Sequence, residues 1–164
     1  MTIGQNAIGA NFTEALTLGT AINVFPEHEL GTRMRGSNGS EWVYVQASGA
    51  ITGAGYVVVI DEAWQAAMAT NTTAVYGQQI GVAGVAFADN DYGWVQVFGT
   101  ASIRVAASCA ANAVITSTTT AGELDDAAGS GTKTLVGAVL TTANGGAAAN
   151  AEGVLTYPTV GVTN

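Results

Sequence analysis

The chain is organised as short runs of β-branched and aromatic residues separated by glycine, asparagine and aspartate. Apolar runs of about four to eight residues, bounded by turn residues of this kind, are typical of β-strands. Residues 62–69 have helical spacing as well, but a strand is favoured there because the segment follows a plausible turn. The pattern predicts an all-β fold with strands at 41–46, 56–60, 79–87, 94–98, 102–106, 113–117, 135–140 and 153–157.

Turn residues lie where the predicted strands meet. Asn38-Gly39 precedes the strand at 41–46, and both residues tolerate the positive φ of a type I′ hairpin turn. Asp89-Asn90-Asp91 links two later strands. Counting from Asp89, the positions that a calcium loop fills with Gly and Glu hold Trp94 and Thr100, so a turn is favoured over a calcium site.

The predicted strands suggest a small barrel or sandwich of short antiparallel strands covering residues 23–164. Residues 1–22 show no clear alternation and are expected to form an extended N-terminal arm. The pattern also allows two similar halves, because 54–58, 81–83 and 94–97 are echoed by 111–115, 137–139 and 154–157. Closure of two such units would remove exposed strand edges.

The composition restricts the classes of partner. Hydrophobic residues make up 48% of the 164 residues and charged residues only 10%, against a usual charged share of about 25%. Such a surface is expected to be partly covered by neighbouring molecules. The net charge is −8, with only four basic residues, so neither nucleic acid nor an anionic membrane is an expected partner.

Candidate catalytic and metal-binding residues are few and isolated. His28 is the one histidine and is expected in a solvated loop, while Cys109 is the one cysteine and is expected to be a buried structural thiol. The acids Glu123, Asp125 and Asp126 lie in a Gly/Ala/Ser-rich segment, where a solvated loop is favoured over a hydrolytic pair. We therefore expect no enzyme activity, no cofactor and no metal.

Three segments resemble the capsid decoration (cement) proteins of tailed phages that have a small β-barrel. They are residues 39–47, 56–62 and 80–86, the last continuing to 92–97, and the similarity extends over roughly residues 30–157. The resemblance implies a structural virion protein on the outer capsid surface. It would bind the major capsid protein, often as a homotrimer, and stabilise the shell. It transfers no functional residue, because none defines the group chemically.

An arm that becomes ordered on its partner can cover a large surface. We therefore expect the apolar residues Ile8, Phe12, Leu16 and Leu18 to contact the capsid or a neighbouring copy. One alternative is a carbohydrate-binding or adhesive module of a head or tail fibre, which would use Trp42, Trp64 and Trp94, although core or interface tryptophans are commoner. The others are a hydrolase using Glu123 or Asp125, and a shell-forming subunit.

Overall fold

The structure, a computed structural model, describes residues 6–7, 9–18 and 25–164, and in these residues the chain is all-β. This confirms the predicted fold class. The strands are β1 (Asn6–Ala7), β2 (Ala10–Asn11), β3 (Ala15–Leu16), β4 (Arg33–Arg35), β5 (Glu41–Ala47), β6 (Val57–Ile60), β7 (Gln65–Met68), β8 (Gln79–Ala83), β9 (Tyr92–Val105), β10 (Thr116–Ser117), β11 (Leu124–Asp125), β12 (Lys133–Leu140) and β13 (Ala149–Thr163).

Five strands close into a ring that we call the first barrel. β5 pairs in parallel with β7, β7 pairs antiparallel with β6, and β6 pairs antiparallel with β8. β8 pairs with the N-terminal half of β9, which returns to β5 and closes the ring. Closure pairs the strands on both sides and so protects their edges.

A second ring, the second barrel, begins with the C-terminal half of β9. This half pairs antiparallel with β13, which pairs with β12, and β12 continues through β10 to β11. β11 then lies parallel to β9 and closes the ring. The long strand β9 therefore belongs to both barrels and joins them covalently.

The two barrels have the same topology and nearly the same register. Adding 58 to the paired residues Val43 and Val95 of the first barrel gives Ala101 and Gly153, which are paired in the second. Each barrel also contains one parallel pairing at the equivalent place, β5 with β7 and β9 with β11. The strand pairing thus supports the two similar halves suggested by the sequence.

The structure corrects two of the three sequence matches between the halves. Ala83 is equivalent to Leu140, because these residues pair with the equivalent positions Val95 and Gly153. The match of 81–83 with 137–139 was therefore displaced by one residue, next to an irregularity in β12 between Val136 and Ala138. Residues 94–97 are equivalent to 152–155 rather than to 154–157.

The apolar interior forms two main clusters, one inside the first barrel and one to which both barrels contribute. All four residues of β6 are buried. Val58 and Ile60 pack inside the first barrel, whereas Val57 and Val59 point out of it and join the core of the second barrel around Ile103. A strand buried on both faces explains why Val57–Ile60 is an unbroken apolar run in the sequence.

Several predicted strands are confirmed with changed limits. Residues 94–98 and 102–105 belong to one strand, β9, which passes through Gly99 at φ +91° and ends before Ala106. Residues 65–68 form β7, so the preference for a strand over a helix there is confirmed. The hairpin after Asn38-Gly39 is present as β4–β5, but its turn is not type I′, because only Gly39 of the pair has positive φ.

Candidate functional site

Aromatic residues are concentrated in the first half of the chain. All three tryptophans and all four phenylalanines lie at or before residue 98, and Tyr157 is the single aromatic residue after it. Aromatic side chains supply large contact areas and a polar edge, which is why binding surfaces are enriched in them. The search for a ligand-binding site therefore begins with the first barrel and its neighbouring loops.

Part of this aromatic set is structural. Trp42, Tyr44 and Trp94 lie on the outer face of β5 and β9, yet each is almost completely buried. Phe12 covers them: its ring stacks on Trp42 with centroids 4.9 Å apart and meets Trp94 edge-on at 5.4 Å. The buried indole of Trp42 donates a hydrogen bond to Ser40 Oγ at 2.9 Å. This confirms the core placement expected for two of the three tryptophans.

The four residues of the N-terminal arm that were expected to contact a partner do not share one environment. Phe12 is 0% exposed inside the chain's own aromatic cluster, which differs from the expectation that it reaches a partner. Leu16 pairs with Tyr92 at the start of β9, and both Leu16 and Leu18 are half-buried. Ile8 lies outside the described residues. Phe12, Ala15 and Leu16 of the predicted arm therefore lie against the first barrel.

The isolated histidine also belongs to this aromatic cluster. The ring of His28 lies 5.3 Å from Tyr44 and 5.1 Å from Trp94, centroid to centroid. His28 is half-buried rather than solvated, and its Nε2 is buried without a hydrogen-bond partner in the described part of the chain. Burial raises the pKa of the neighbouring Tyr44 above its ordinary value. The arrangement packs the ring against aromatic edges and presents no ligand set.

Cys109 lies beside two of the acids predicted to be in a loop. Its Sγ and one carboxylate oxygen each from Asp125 and Asp126 lie within 4.8 Å of one another. Asp125 belongs to β11, which corrects its assignment to a loop, whereas Asp126 follows in a bend; both are half-buried. Burial, followed by the charge of Asp126, raises the pKa of Cys109 to about 11, so the thiol stays protonated and is a poor metal ligand.

The acid turn predicted between two strands is confirmed. Asp91 is buried and its carboxylate accepts hydrogen bonds from the Ala88 amide at 2.7 Å and from Thr17 Oγ1 at 2.6 Å. Asn90 has φ +67°, a conformation that asparagine tolerates better than most residues. Asp91 therefore fixes the loop between β8 and β9 and attaches the N-terminal segment to it.

The remaining tryptophan lines one of two open grooves of similar volume in the described residues. The groove has a volume of about 690 Å³ and lies between the turn at 60–64 and the loop at 75–79. Trp64 forms one side, and Tyr76, which is 74% exposed, forms the other. We call this feature the Trp64–Tyr76 groove. Its volume is in the range of small-molecule binding sites, about 300–1,000 Å³.

The first wall of the groove is held rigidly by Asp61. Its Oδ1 accepts hydrogen bonds from the Ala63 amide at 2.9 Å and from the Gln65 amide at 2.8 Å. These bonds hold Trp64 at φ 60°, an unusual conformation for a bulky residue. The indole lies against Gly31, where a Cβ atom would come within 2.5 Å of it. The turn and the missing side chain together fix the indole at the groove.

The second wall is attached to the second barrel. The Gly77 amide donates to the Val160 carbonyl at 2.8 Å, and the Val160 amide donates back to the Gln78 carbonyl at 2.9 Å. The side-chain oxygen of Gln78 accepts a hydrogen bond from the Val75 amide at 2.9 Å. Tyr76 therefore stands at the tip of a turn whose backbone is fixed on both sides.

A second aromatic surface adjoins the groove through Gln79. Arg33 Nη2 donates to Gln79 Oε1 at 3.3 Å, and its guanidinium lies 5.8 Å from the centre of the Tyr157 ring. Tyr157 packs on Phe98 with centroids 5.0 Å apart and has φ 51°. Its hydroxyl donates to Glu41, which also forms an ion pair with Arg35 at 2.6 Å. Both bulky residues with left-handed backbone, Trp64 and Tyr157, thus lie near Gln79.

Comparison with known proteins gives no assignment. No protein-family model matches the chain, and no significant match was found to a curated protein or to a solved structure. Among the described residues, no helix is both long enough and apolar enough to cross a bilayer. The function must therefore be argued from the chain itself.

The sequence indicated only part of the groove. Trp64 was a candidate as one of three tryptophans, but nothing in the sequence distinguished it from the two buried ones. Val75-Tyr76-Gly77 carries the available signal, because two large apolar residues precede a glycine between predicted strands. Such a pair at a turn is expected to be exposed, and at 58% and 74% exposure both side chains are.

Proposed function

We propose that this chain is a structural protein that binds the outer surface of a phage capsid and stabilises the shell. The observation that carries the proposal is a group of exposed valines on the second barrel: Val114, Val136 and Val162 are 67%, 57% and 62% exposed. We call them the valine patch. Exposed aliphatic side chains in a group favour a surface that another protein covers.

The strand register supports treating the valines as one patch. β10 and β12 pair antiparallel at Thr116 and Thr134, and this register places Val114 opposite Val136. A Cβ atom on Gly161 would lie 3.1 Å from a methyl group of Val136, which places Val136 beside the strand that carries Val162. The register thus places Val114, just before β10, beside Val136 of β12, with the end of β13 that carries Val162 next to them.

Charge also favours a protein partner at an outer surface. The chain has a net charge of −8 and only 16 charged side chains, so its surface offers few of the phosphate-binding cations that a packaged genome requires. The partner proposed is the major capsid protein, and a homotrimer would contact several subunits at once. Simultaneous attachment at several points raises the overall affinity without new contacts at each point.

The test is co-sedimentation of the protein with matching empty capsids. Val136→Ser combined with Val114→Ser is expected to lower the bound fraction at least severalfold, because it removes exposed apolar area from the contact. Val75→Ser is the matched control, since it removes a similarly exposed valine from the first barrel. Binding unchanged by the double substitution, or equally weakened by the control, would assign the contact elsewhere.

The alternative function is a carbohydrate-binding module that uses all three tryptophans. Two of the three are buried. Trp42 and Trp94 are each 1% exposed and cannot stack on a sugar without unfolding of the cluster. Trp64 is half-buried and lines a groove with Tyr76, and only this part of the alternative has a specific observation in its favour.

A further inference from the structure

We propose that the Trp64–Tyr76 groove binds a neutral saccharide, a function independent of attachment to a shell. Its lining residues are Ile60, Asp61, Glu62, Trp64, Val75, Tyr76, Gly77, Gln78 and Gln79. They combine two aromatic rings with two amides and two carboxylates. Aromatic faces pack against the C–H faces of sugar rings, while amides and carboxylates hydrogen-bond to hydroxyl groups.

The polar groups of the groove suit a ligand that both donates and accepts hydrogen bonds. The Trp64 indole N–H donates no hydrogen bond to any described residue, and neither do the side-chain amides of Gln78 and Gln79. The side-chain oxygens of these glutamines are already occupied, by the Val75 amide and by Arg33, so their N–H groups are the free ends. The two side-chain amides therefore accompany the acceptor oxygens of Asp61 and Glu62.

An apolar peptide is a poorer match for the same groove. It would cover the donors and the two carboxylates without replacing the hydrogen bonds they make to water, and each polar group buried without a partner would weaken binding. A saccharide carries hydroxyl groups that serve as donor and acceptor in every orientation. The mixture of free donors and free acceptors around two aromatic side chains therefore favours a sugar.

Charge selects among saccharides. Asp61 and Glu62 both line the groove, and no lysine or arginine is among its lining residues. The cation next to the groove is Arg33. Its guanidinium donates a hydrogen bond to the Gln79 side-chain oxygen and lies over the Tyr157 ring. A uronic acid in the groove would place like charges together, so a neutral sugar is expected to bind more tightly than its carboxylated counterpart.

The groove is also pre-organised for a ligand. Asp61 fixes the backbone of the Trp64 turn through two hydrogen bonds, and Val160 fixes the turn that carries Tyr76 through two more. A site whose walls are already ordered loses less conformational entropy on binding. Unusual backbone conformations of this kind cluster at binding sites, and Trp64 has one.

The experiment is a titration of the intact protein with neutral trisaccharides of glucose, galactose and mannose and with the trisaccharide of galacturonic acid. Tryptophan fluorescence reports the site selectively, because Trp42 and Trp94 are buried and Trp64 is not. Calorimetry provides an independent readout. We expect saturable binding of at least one neutral trisaccharide, and weaker or undetectable binding of the acidic one.

Two variants make the test specific. Tyr76→Ala is expected to weaken binding by about two- to tenfold, the loss typical of one aromatic contact, and its high exposure keeps the fold intact. Phe25→Ala is the control, because Phe25 is equally exposed at 74% but lies outside the groove. Glu62→Gln is expected to raise the affinity for the acidic trisaccharide towards that of the neutral one.

Three results would overturn the proposal. They are no fluorescence or heat change with any trisaccharide up to about 10 mM, binding that Tyr76→Ala leaves unchanged, and tighter binding of the acidic sugar than of the neutral one. A dissociation constant of about 10 mM corresponds to a binding free energy of about −2.7 kcal/mol. Capsid co-sedimentation of the same variants is read separately, so failure of one proposal leaves the other intact.

Discussion

At the scale of single residues, Phe12 packs the described part of the N-terminal segment onto the first barrel. It is fully buried between Trp42 and Trp94, although it lies in a segment that the sequence indicated as an arm. Its position could not be read from the sequence, because one phenylalanine among small and polar residues does not show which distant rings it contacts. Long-range packing of a single side chain leaves no local periodicity.

Phe12→Ala is expected to lower the free energy of unfolding by about 3–5 kcal/mol, the range for a buried phenylalanine whose site cannot collapse. Chemical denaturation measures the change. Phe25→Ala, at an exposed position, is the control and should shift stability by less than about 0.5 kcal/mol. A Phe12→Ala protein as stable as the parent would show that the segment is not packed on the barrel in solution.

Cys109 is expected to be unreactive in the folded protein. With a pKa raised to about 11 by burial and by Asp126, its thiolate fraction at pH 8 is about one in a thousand. A thiol-disulfide exchange reagent should therefore react slowly with the native protein and rapidly after unfolding in guanidinium. Fast stoichiometric reaction of the native protein would show that the thiol is accessible, contrary to its buried position.

The hydrogen bond between Tyr157 and Glu41 predicts a pH-dependent stability. The bond holds the pKa of Glu41 below its ordinary 4.5, and it raises the pKa of Tyr157 above its ordinary 10.0. Its contribution is present above the unfolded pKa of Glu41 and is lost as the pH falls through the folded value. It is also present below the unfolded pKa of Tyr157 and is lost as the pH rises through the folded value.

Thermal unfolding of the parent and of Tyr157→Phe measures this contribution as a function of pH. The difference in Tm should be largest between about pH 5 and pH 9 and should shrink at both ends. Tyr76→Phe provides a control, because the Tyr76 hydroxyl makes no hydrogen bond within the described residues. A difference that does not vary with pH would assign the stabilisation to ring packing on Phe98 alone.

At the scale of secondary-structure elements, the apolar runs located most strands and the turn residues located most connections. Ile103 and Val105 are buried and Arg104 is half-buried, as the alternation indicated. The main failures come from β9 and β11. In the sequence pattern, Gly99 divided the continuous strand β9 into two predicted strands. The two-residue strand Leu124–Asp125 is too short to show an alternation of apolar and polar residues.

The structure explains why residue 99 is a glycine, and a substitution can test the explanation. It combines φ +91° with a close approach to Ser40, whose Cα would lie 3.0 Å from an added Cβ, at the point where β9 passes between barrels. Gly39 has a similar φ of +79° but open space around it. Gly99→Ala should therefore destabilise by about 2–3 kcal/mol and Gly39→Ala by about 1 kcal/mol, measured by denaturation. Equal losses would mean that the contact with Ser40 relaxes freely.

At the scale of the whole molecule, the duplication explains how one short chain can carry two different surfaces. The outer face that holds Trp42, Tyr44 and Trp94 in the first barrel holds Thr100, Ser102 and Glu152 at the equivalent positions of the second. The first barrel therefore needs the cover that Phe12 supplies, and the second does not. The sequence suggested the two halves, but this difference between them required the register.

The shared strand and the shared core predict that the two barrels unfold together. Val57 and Val59 of the first barrel lie in the same apolar cluster as Ile103 and Leu155, and β9 runs through both rings. Tryptophan fluorescence reports the first barrel alone, because all three tryptophans lie there, whereas far-ultraviolet circular dichroism reports both. In guanidinium the two signals should give the same midpoint and the same dependence on denaturant.

Val59→Ala sharpens this test, because Val59 belongs to a strand of the first barrel and packs into the second. It should lower both midpoints equally, with a loss of about 1–3 kcal/mol for a truncated buried valine. A fluorescence midpoint that falls while the circular dichroism signal separates into two transitions would show barrels that fold independently. In that case the shared core would act as a contact between two domains, and the second barrel could keep its valine patch when the first is unfolded.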